Sequence, residues 1–316
     1  MNSMAAKKTT ETDAPRGFFR RWRSWLYDPR VIVGLIILCA APFLGNLLSK
    51  SGTDFTTLPE YQVDRRTIQL KEAPDYLPAD LLERTWQRAG LGQTFSILEP
   101  DLAERIGHAF EESPWVRKVI QVRLQYPNLI DLELEYRQPV ALVQLQQGFY
   151  PVDRDGILLP SMDFSVKQLD GYPIIEGIES VPRGTAGNHW GDLSVWGATR
   201  LAEMFLAESE NGSLWDRYQF EKIRVDGRAA DQAQTVEELH QVAYRLITKK
   251  GSEVIWGVAP EVPDPTEPNA ETKMKRLEMY LRDFGGLQTA QGPVEIDLRR
   301  WKDIARRSLP QQGVTR

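Results

Sequence analysis

The sequence predicts an α+β chain in three parts. These are an apolar N-terminal helix that crosses a membrane, a small β-α-α-β-β domain, and a mostly antiparallel β domain with flanking helices. Three observations predict it. Val31–Leu48 is an uncharged run of 18 residues. Two helical apolar patterns precede a pair of alternating segments around Tyr126-Pro127-Asn128-Leu129. After Pro139, short alternating segments and turn residues take over.

The N-terminal part reads from charge and length. Residues 1–30 hold seven basic residues (Lys7, Lys8, Arg16, Arg20, Arg21, Arg23, Arg30) and three acidic ones, a net +4; the chain total of −5 leaves −9 for the rest. Val31–Leu48 meets the lower bound of about 17–25 residues for a membrane helix. Trp25 and Tyr27 precede it, where amphipathic aromatics favour the interface. Basic residues cluster before the run and only Lys50 follows closely. The positive-inside rule therefore predicts a cytoplasmic segment 1–30, a transmembrane helix 31–49 and an extracytoplasmic remainder, opened by a polar tether 50–63. A cleaved signal peptide, a lipoprotein acylated on Cys39 and a buried core helix are the alternatives. The long n-region, the bulky Leu38 before Cys39 and the short apolar run before it weigh against the first two. Cys39 is the only cysteine, so no disulfide framework forms within one chain, and the thiol-free remainder suits an oxidising compartment.

Residues 64–137 form the small domain. Arg65–Lys71 is a candidate strand with Ile68 and Leu70 alternating. Pro78 opens a helix running to about Ala89, with Leu81, Leu82, Thr85, Trp86 and Ala89 on one face and Gly90 as its stop. Glu99-Pro100-Asp101 starts a second helix, because Pro and acids suit the first turn. Leu102, Ile106, Ala109 and Phe110 recur at helical spacing until Pro114. A hairpin follows. Ile120, Val122, Leu124 and Tyr126, then Ile130, Leu132, Leu134 and Tyr136, fall at even positions and predict one apolar face. An even-sum register places Arg123 opposite Asp131 or Glu133, and a one-residue slip would expose the apolar face.

Residues 138–305 form the β domain. Val140–Gln146 and Phe149–Val152 flank Gln147-Gly148, and Asp153-Arg154-Asp155-Gly156 turns the chain into Ile157-Leu158-Leu159. Leu193, Trp196, Leu201, Met204 and Phe205 mark a helix with Asp192 near its start. Lys222–Val225 is a strand. Val236–Thr248 fits both a helix and a strand, and periodicity alone does not decide. Glu253–Gly257 is a strand by β-branching. Residues 259–269, with Pro260, Pro263, Pro265 and Pro268, form a loop. Glu271–Phe284 is helical and stopped by Gly285-Gly286, and Pro293–Arg299 is the last alternating strand. Residues 306–316 read as a disordered tail.

The motif count excludes most chemistry. His108, His189 and His240 lie far apart without metal spacing, and no H-E-x-x-H, G-x-S-x-G, S-x-x-K or phosphate-binding glycine loop occurs. No catalytic, cofactor or metal residue is predicted, and no small-molecule substrate. The acidic remainder argues against nucleic acid. Asp153-x-Asp155-Gly156 lacks the later ligands of a calcium loop and reads as a turn. Asn211-Gly212-Ser213 matches a glycosylation acceptor, a triplet common by chance.

Several segments, in order, resemble one family. They are Pro114-Trp115-Val116, Tyr126-Pro127, Glu135, Pro139-Val140-Ala141, Tyr150 through Gly156, Leu169 through Pro173, Ile175-Glu176-Gly177, Ile255-Trp256-Gly257, Lys273 through Leu277, and Ile296 through Arg299. Together they resemble the bacterial cell-division proteins of the FtsQ/DivIB family over about 250 residues. The resemblance implies a POTRA domain at 64–137 and a β domain at 138–305. It also implies a type II inner-membrane protein that acts without catalysis as a divisome scaffold, linking early and late division proteins at the septum and helping to control septal peptidoglycan synthesis. Partners resembling the bitopic proteins FtsB and FtsL would bind the β domain, and the family favours strand for the segment ending at Thr248. Strand addition to a free sheet edge is the expected mode. Val294, Glu295, Ile296, Asp297, Leu298 and Arg299 are the candidate edge, with Trp301 and Arg299 as anchors. Pro114, Trp115, Val116, Pro127, Glu135, Pro139, Asp153, Gly156 and Gly257 are expected to be structural. Glu72-Ala73-Pro74-Asp75 departs from the glycine-containing turn often found there, and loop 259–269 is expanded. A POTRA-bearing envelope assembly or secretion factor, and an extracytoplasmic cell-wall enzyme, are the alternative functions.

Overall fold

The computed structural model describes residues 29–50, 55–88, 90, 92, 94–208, 212–227, 234–289 and 292–310. The basic segment up to 28, Asn211 and the expected tail from 311 lie outside the described residues. The chain divides into two units, Met1–Leu58 and Pro59–Arg316.

The first unit holds helix α1, Pro29–Lys50, of 22 residues with Pro42 inside it. At about 1.5 Å per residue it is about 33 Å long. Ile32, Val33, Ile36, Ile37, Leu38, Phe43 and Leu44 are all exposed along it. Over the described residues, which leave out the side chains of Val31, Leu35 and 47–50, no helix is long and apolar enough to cross a membrane.

The second unit begins with the predicted β-α-α-β-β order and adds a small ribbon. Strand β1 (Gln62–Val63) pairs with β3 (Phe95–Ser96), a contact the sequence pattern did not signal. Strand β2 is only Ile68–Leu70, because Arg65–Thr67 is a 3-10 turn. Helix α2 spans Leu81–Arg88 and α3 spans Leu102–Glu111. Asp101 precedes α3 at φ 61° and makes no side-chain cap bond, contrary to the capping role its position suggests. Strand β5 (Leu129–Tyr136) lies between β2, parallel, and β4 (Val116–Gln125), antiparallel. Trp86, Phe95, Ile106 and Phe110 close over Ile130, Leu132 and Leu134 to make this core.

The hairpin register is as expected at its turn and changes beyond it. Arg123 pairs with Asp131 and Val122 with Leu132. The register then shifts between Val119 and Gln121 and again between Val116 and Lys118. Each bulge adds one residue and inverts the alternation. Val116, Val119, Val122 and Leu124 therefore face the core, whereas Ile120 stands 55% exposed on a bulge. The even-position rule fails at Ile120 for this reason.

Among the described residues, thirteen further α-helices and strands come before the last strand. In chain order they are β6 (Pro139–Leu145), β7 (Gly148–Asp153), α4 (Val166–Leu169), β8 (Ile174–Glu176), α5 (Leu193–Leu206), α6 (Leu214–Arg217) and β9 (Phe220–Asp226). Then come α7 (Val236–Leu239), β10 (Ala243–Thr248), β11 (Glu253–Gly257), α8 (Ala270–Phe284), β12 (Gln288–Thr289) and β13 (Gly292–Asp297). A fourteenth element, β14 (Ala305–Ser308), closes the chain. The main sheet runs β12-β13-β11-β10-β9-β8-β6-β7, with β14 beside β13. It is more mixed than expected, since β6–β8, β8–β9 and β11–β13 are parallel.

The segment 236–248 answers to both periodicities in turn. Thr235 and Glu238 form a capping box around the single turn α7, and β10 follows. Asp192 caps α5 by accepting from the Ser194 N–H at 2.9 Å. One sheet face packs on α5 and α8 around Phe205, Phe220, Tyr244, Trp256, Leu277 and Ile296. The other face carries a charge row. Arg224 meets Glu176 and Glu253, Arg245 meets Asp226, Glu253 and Glu295, and Arg307 meets Glu295.

Candidate partner-binding edge

The residues that carry the family motifs gather mainly where the two sheets meet. Trp115, 2% exposed, donates its Nε1–H to Asp163 Oδ2 at 2.7 Å. Arg84 Nη1 donates to the other oxygen, Oδ1, at 2.7 Å. Asp153, 1% exposed, accepts from Arg137 Nη1 and from the N–H groups of Asp155 and Ile157, each at 2.9 Å. Arg117 bridges Asp155 at 2.9 Å and Glu135 at 3.5 Å. Pro139 pairs with Asp153. Gly156 takes φ +71°, and Gly187 brings its backbone against Pro114. Pro127 follows a cis peptide bond at the hairpin turn. Gly257 is elsewhere, at φ +91° beside Glu267. Burial and internal hydrogen bonds occupy most of these groups, so they hold the junction and leave little for a partner.

The predicted edge is not an edge. Strand β13 pairs on one side with β11 and on the other with β14, which lay in and beside the expected disordered tail. Val294, Ile296 and Leu298 are 1%, 0% and 0% exposed and belong to the core. Glu295 is held by Arg245 and Arg307. Arg299 binds its own neighbour Asp297 through Nε at 3.0 Å and Nη2 at 2.8 Å. Burial penalises the Asp297 carboxylate, but these bonds outweigh it and hold its pKa below the ordinary value. Trp301 remains 58% exposed while its Nε1–H donates to Thr266 O at 3.1 Å.

The ladder that faces outward therefore belongs to β14. Leu309 N–H donates to Pro293 O at 2.8 Å, and Arg307 pairs with Glu295. By the alternation of an antiparallel ladder, the N–H groups of Ala305 and Arg307 also face β13, and those of Arg306 and Ser308 face away. Arg306, Arg307 and Ser308 have exposed side chains. The competing edges are guarded. Strand β4 is kinked by its two bulges. Strand β7 contains Pro151, which has no N–H, and is bridged by Leu158 and by Leu159 N–H to Pro151 O. Strand β2 has three residues. Short strands, prolines, bulges and charges are the usual protections of an edge; β14 is short, at four residues, and charged, but it contains neither a proline nor a bulge.

Sequence reasoning missed β14 because Ala305-Arg306-Arg307-Ser308 shows no apolar alternation. Its side chains cover little, so no period-2 signal is needed. Among the described residues, no group of three or more His, Cys, Asp or Glu side chains is placed to hold a metal.

No family model matches the chain. Over 164 residues the chain is 28% identical to the "Cell division protein FtsQ" of Geotalea daltonii (strain DSM 22248 / JCM 15807 / FRC-32), a stretch that covers 50% of this chain and 54% of that relative. The match thus spans about half the length of the relative. Taken with the ordered motifs and the β-α-α-β-β unit that precedes the larger sheet, the match supports, at the level of family, a likeness to the FtsQ/DivIB cell-division proteins.

Proposed function

We propose that this chain is a non-enzymatic, membrane-anchored scaffold of the bacterial divisome. Helix α1 is its anchor, with the basic N-terminus in the cytoplasm, and residues 64–137 and 138–305 are its extracytoplasmic POTRA and β domains. The uncharged run Val31–Leu48 and its exposed apolar side chains support the anchor. The scaffold sits in the cytoplasmic membrane at the septum, links early and late division proteins, and helps to control septal peptidoglycan synthesis. Its partners are small bitopic proteins resembling FtsB and FtsL, one of which adds a strand to β14. Trp301 flanks that edge as an anchor.

The observation that carries this reading is the outward pair of N–H donors at Arg306 and Ser308 on a strand with exposed side chains. Main-chain bonds to such an edge give affinity without an apolar patch. The test is Ser308→Pro, which removes an outward donor and leaves the inward donors of Ala305, Arg307 and Leu309 in place. We expect partner pull-down to be lost while the circular dichroism spectrum and melting temperature stay unchanged. Undiminished pull-down would sink the edge reading. A fluorescent fusion to the full chain tests the cellular role: recruitment to midcell supports it, and uniform envelope staining argues against it.

A further inference from the structure

The region around β14 is basic in an acidic protein. The chain carries a formal −5, yet residues 299–307 hold five basic side chains (Arg299, Arg300, Lys302, Arg306, Arg307) and one acidic, Asp303. Arg276 adds a sixth base by donating to the carbonyls of Arg300 and Trp301. The acids that face this cluster include Asp297, Glu295 and Asp303, bound to Arg299, Arg307 and Arg300 in turn, and Glu267, which also faces Arg299. Glu295 is also shared with Arg245. Arg307 is 70% exposed even with its partner, and Arg306 lies over the Phe284 ring at 5.4 Å. Arg306 and Arg307 point to opposite faces of β14, as successive strand residues do.

We propose that the strand received by β14 is an acidic one, with carboxylates at two adjacent positions, so that one meets Arg306 on one sheet face and the other meets Arg307 on the opposite face. This rests on the edge reading above. Opposite charges directly across a strand pair attract and like charges repel, so the edge selects partners by charge and fixes their register. The same cluster guards the free edge against a second copy of itself, since two β14 strands would set arginine against arginine.

The experiment uses the full chain in neutral detergent and three labelled peptides of one β-prone sequence. One has a central Glu-Glu, one a central Lys-Lys, and one is the Glu-Glu peptide with its alternate backbone amides N-methylated. Fluorescence anisotropy should show the Glu-Glu peptide binding roughly 10-fold or more tighter than the Lys-Lys peptide at low salt, with the gap shrinking at high salt. The Arg306→Glu/Arg307→Glu variant should reverse the preference. Equal binding of the two charged peptides, or a preference that survives the reversal, overturns the acidic partner. Binding of the methylated peptide as tightly as its parent overturns edge addition itself, whatever the charge preference. Capture of phosphatidylglycerol vesicles that the double variant loses, with no preference between the peptides, assigns the cluster to lipid and also overturns the proposal.

Discussion

Trp115 and Asp163 are joined across the boundary between the two sheets, the indole N–H reaching the carboxylate at 2.7 Å from strand-flanking positions 48 residues apart. The contact sits in a small apolar cluster with Leu81 and Leu159. Asp163→Ala leaves a buried indole donor without an acceptor and releases Arg84 Nη1, so it should destabilise by about 1–3 kcal/mol. At this chain length that lowers the melting temperature by about 2–4 °C per kcal/mol. Trp115→Phe keeps a ring in the cluster and leaves Asp163 its Arg84 partner, so its effect should be smaller. Thermal unfolding checks the order, and an unchanged Asp163→Ala protein would show that the junction does not depend on this bond.

Lys273 and Glu267 form a buried pair at 2.7 Å, and the ammonium also lies 5.4 Å from the Trp256 ring centroid. Burial pulls the Lys273 pKa below its ordinary value, with Glu267 opposing the fall. Removing one partner strands the other charge. Lys273→Met alone and Glu267→Gln alone should each destabilise strongly, by about 3–5 kcal/mol when the remaining charge stays buried. The double variant should lie closer to wild type than either single one. Urea unfolding of the four proteins measures the coupling, and strictly additive effects would contradict the pair.

Gly257 adopts φ +91°, and a Cβ there would collide with the Glu267 carboxylate. Gly251 adopts φ +84° with nothing within 4 Å of the same position. Alanine at Gly251 therefore meets only backbone strain, of about 1–3 kcal/mol. Alanine at Gly257 meets the strain and the collision. We expect Gly257→Ala to be clearly the less stable of the two in denaturant melts; equal midpoints would remove the steric part of the explanation.

The Asp297–Arg299 clasp gives a pH dependence with a defined sign. The folded pKa of Asp297 lies below its ordinary value of 3.8. A depressed carboxylate contributes stability that is fully present above the unfolded value and is lost as pH falls through the folded one. Asp297→Asn should therefore be less stable than wild type at neutral pH, and the difference should close in the acid range below 3.8. Urea midpoints across that range test this, and a gap that widens on acidification would reverse the assignment.

Much of the first sheet was readable because its residues obey one period at a time. Leu102, Ile106 and Phe110 form a helix face and all three are buried. Ile130, Leu132 and Leu134 form a strand face and all three are buried. Ile120 was misread because a bulge changes the phase of the pattern without changing its composition. The expected free edge was misplaced for a different reason. Hydrophobic alternation marks strands that are covered on one face, and Val294, Ile296 and Leu298 carry that mark because they are interior. The outermost strand β14 keeps exposed side chains and covers little, so its sequence looks like a loop. Arg245, Glu253, Glu295 and Arg307 form a charge row only after four strands are set side by side, and no local window contains it.

Pro151 in β7 bears on how many molecules can be joined in a row. Growth of a sheet through a protein needs a receptive edge at both ends, as in a fibre. In the main sheet the strand at the far end from β14 is β7, which carries Pro151 and is bridged by Leu158. A guest strand docked on β14 thus finds no continuation on the far side. If β14 receives a strand as proposed, the molecule ends the chain of pairing that it begins, and the complex has a fixed stoichiometry.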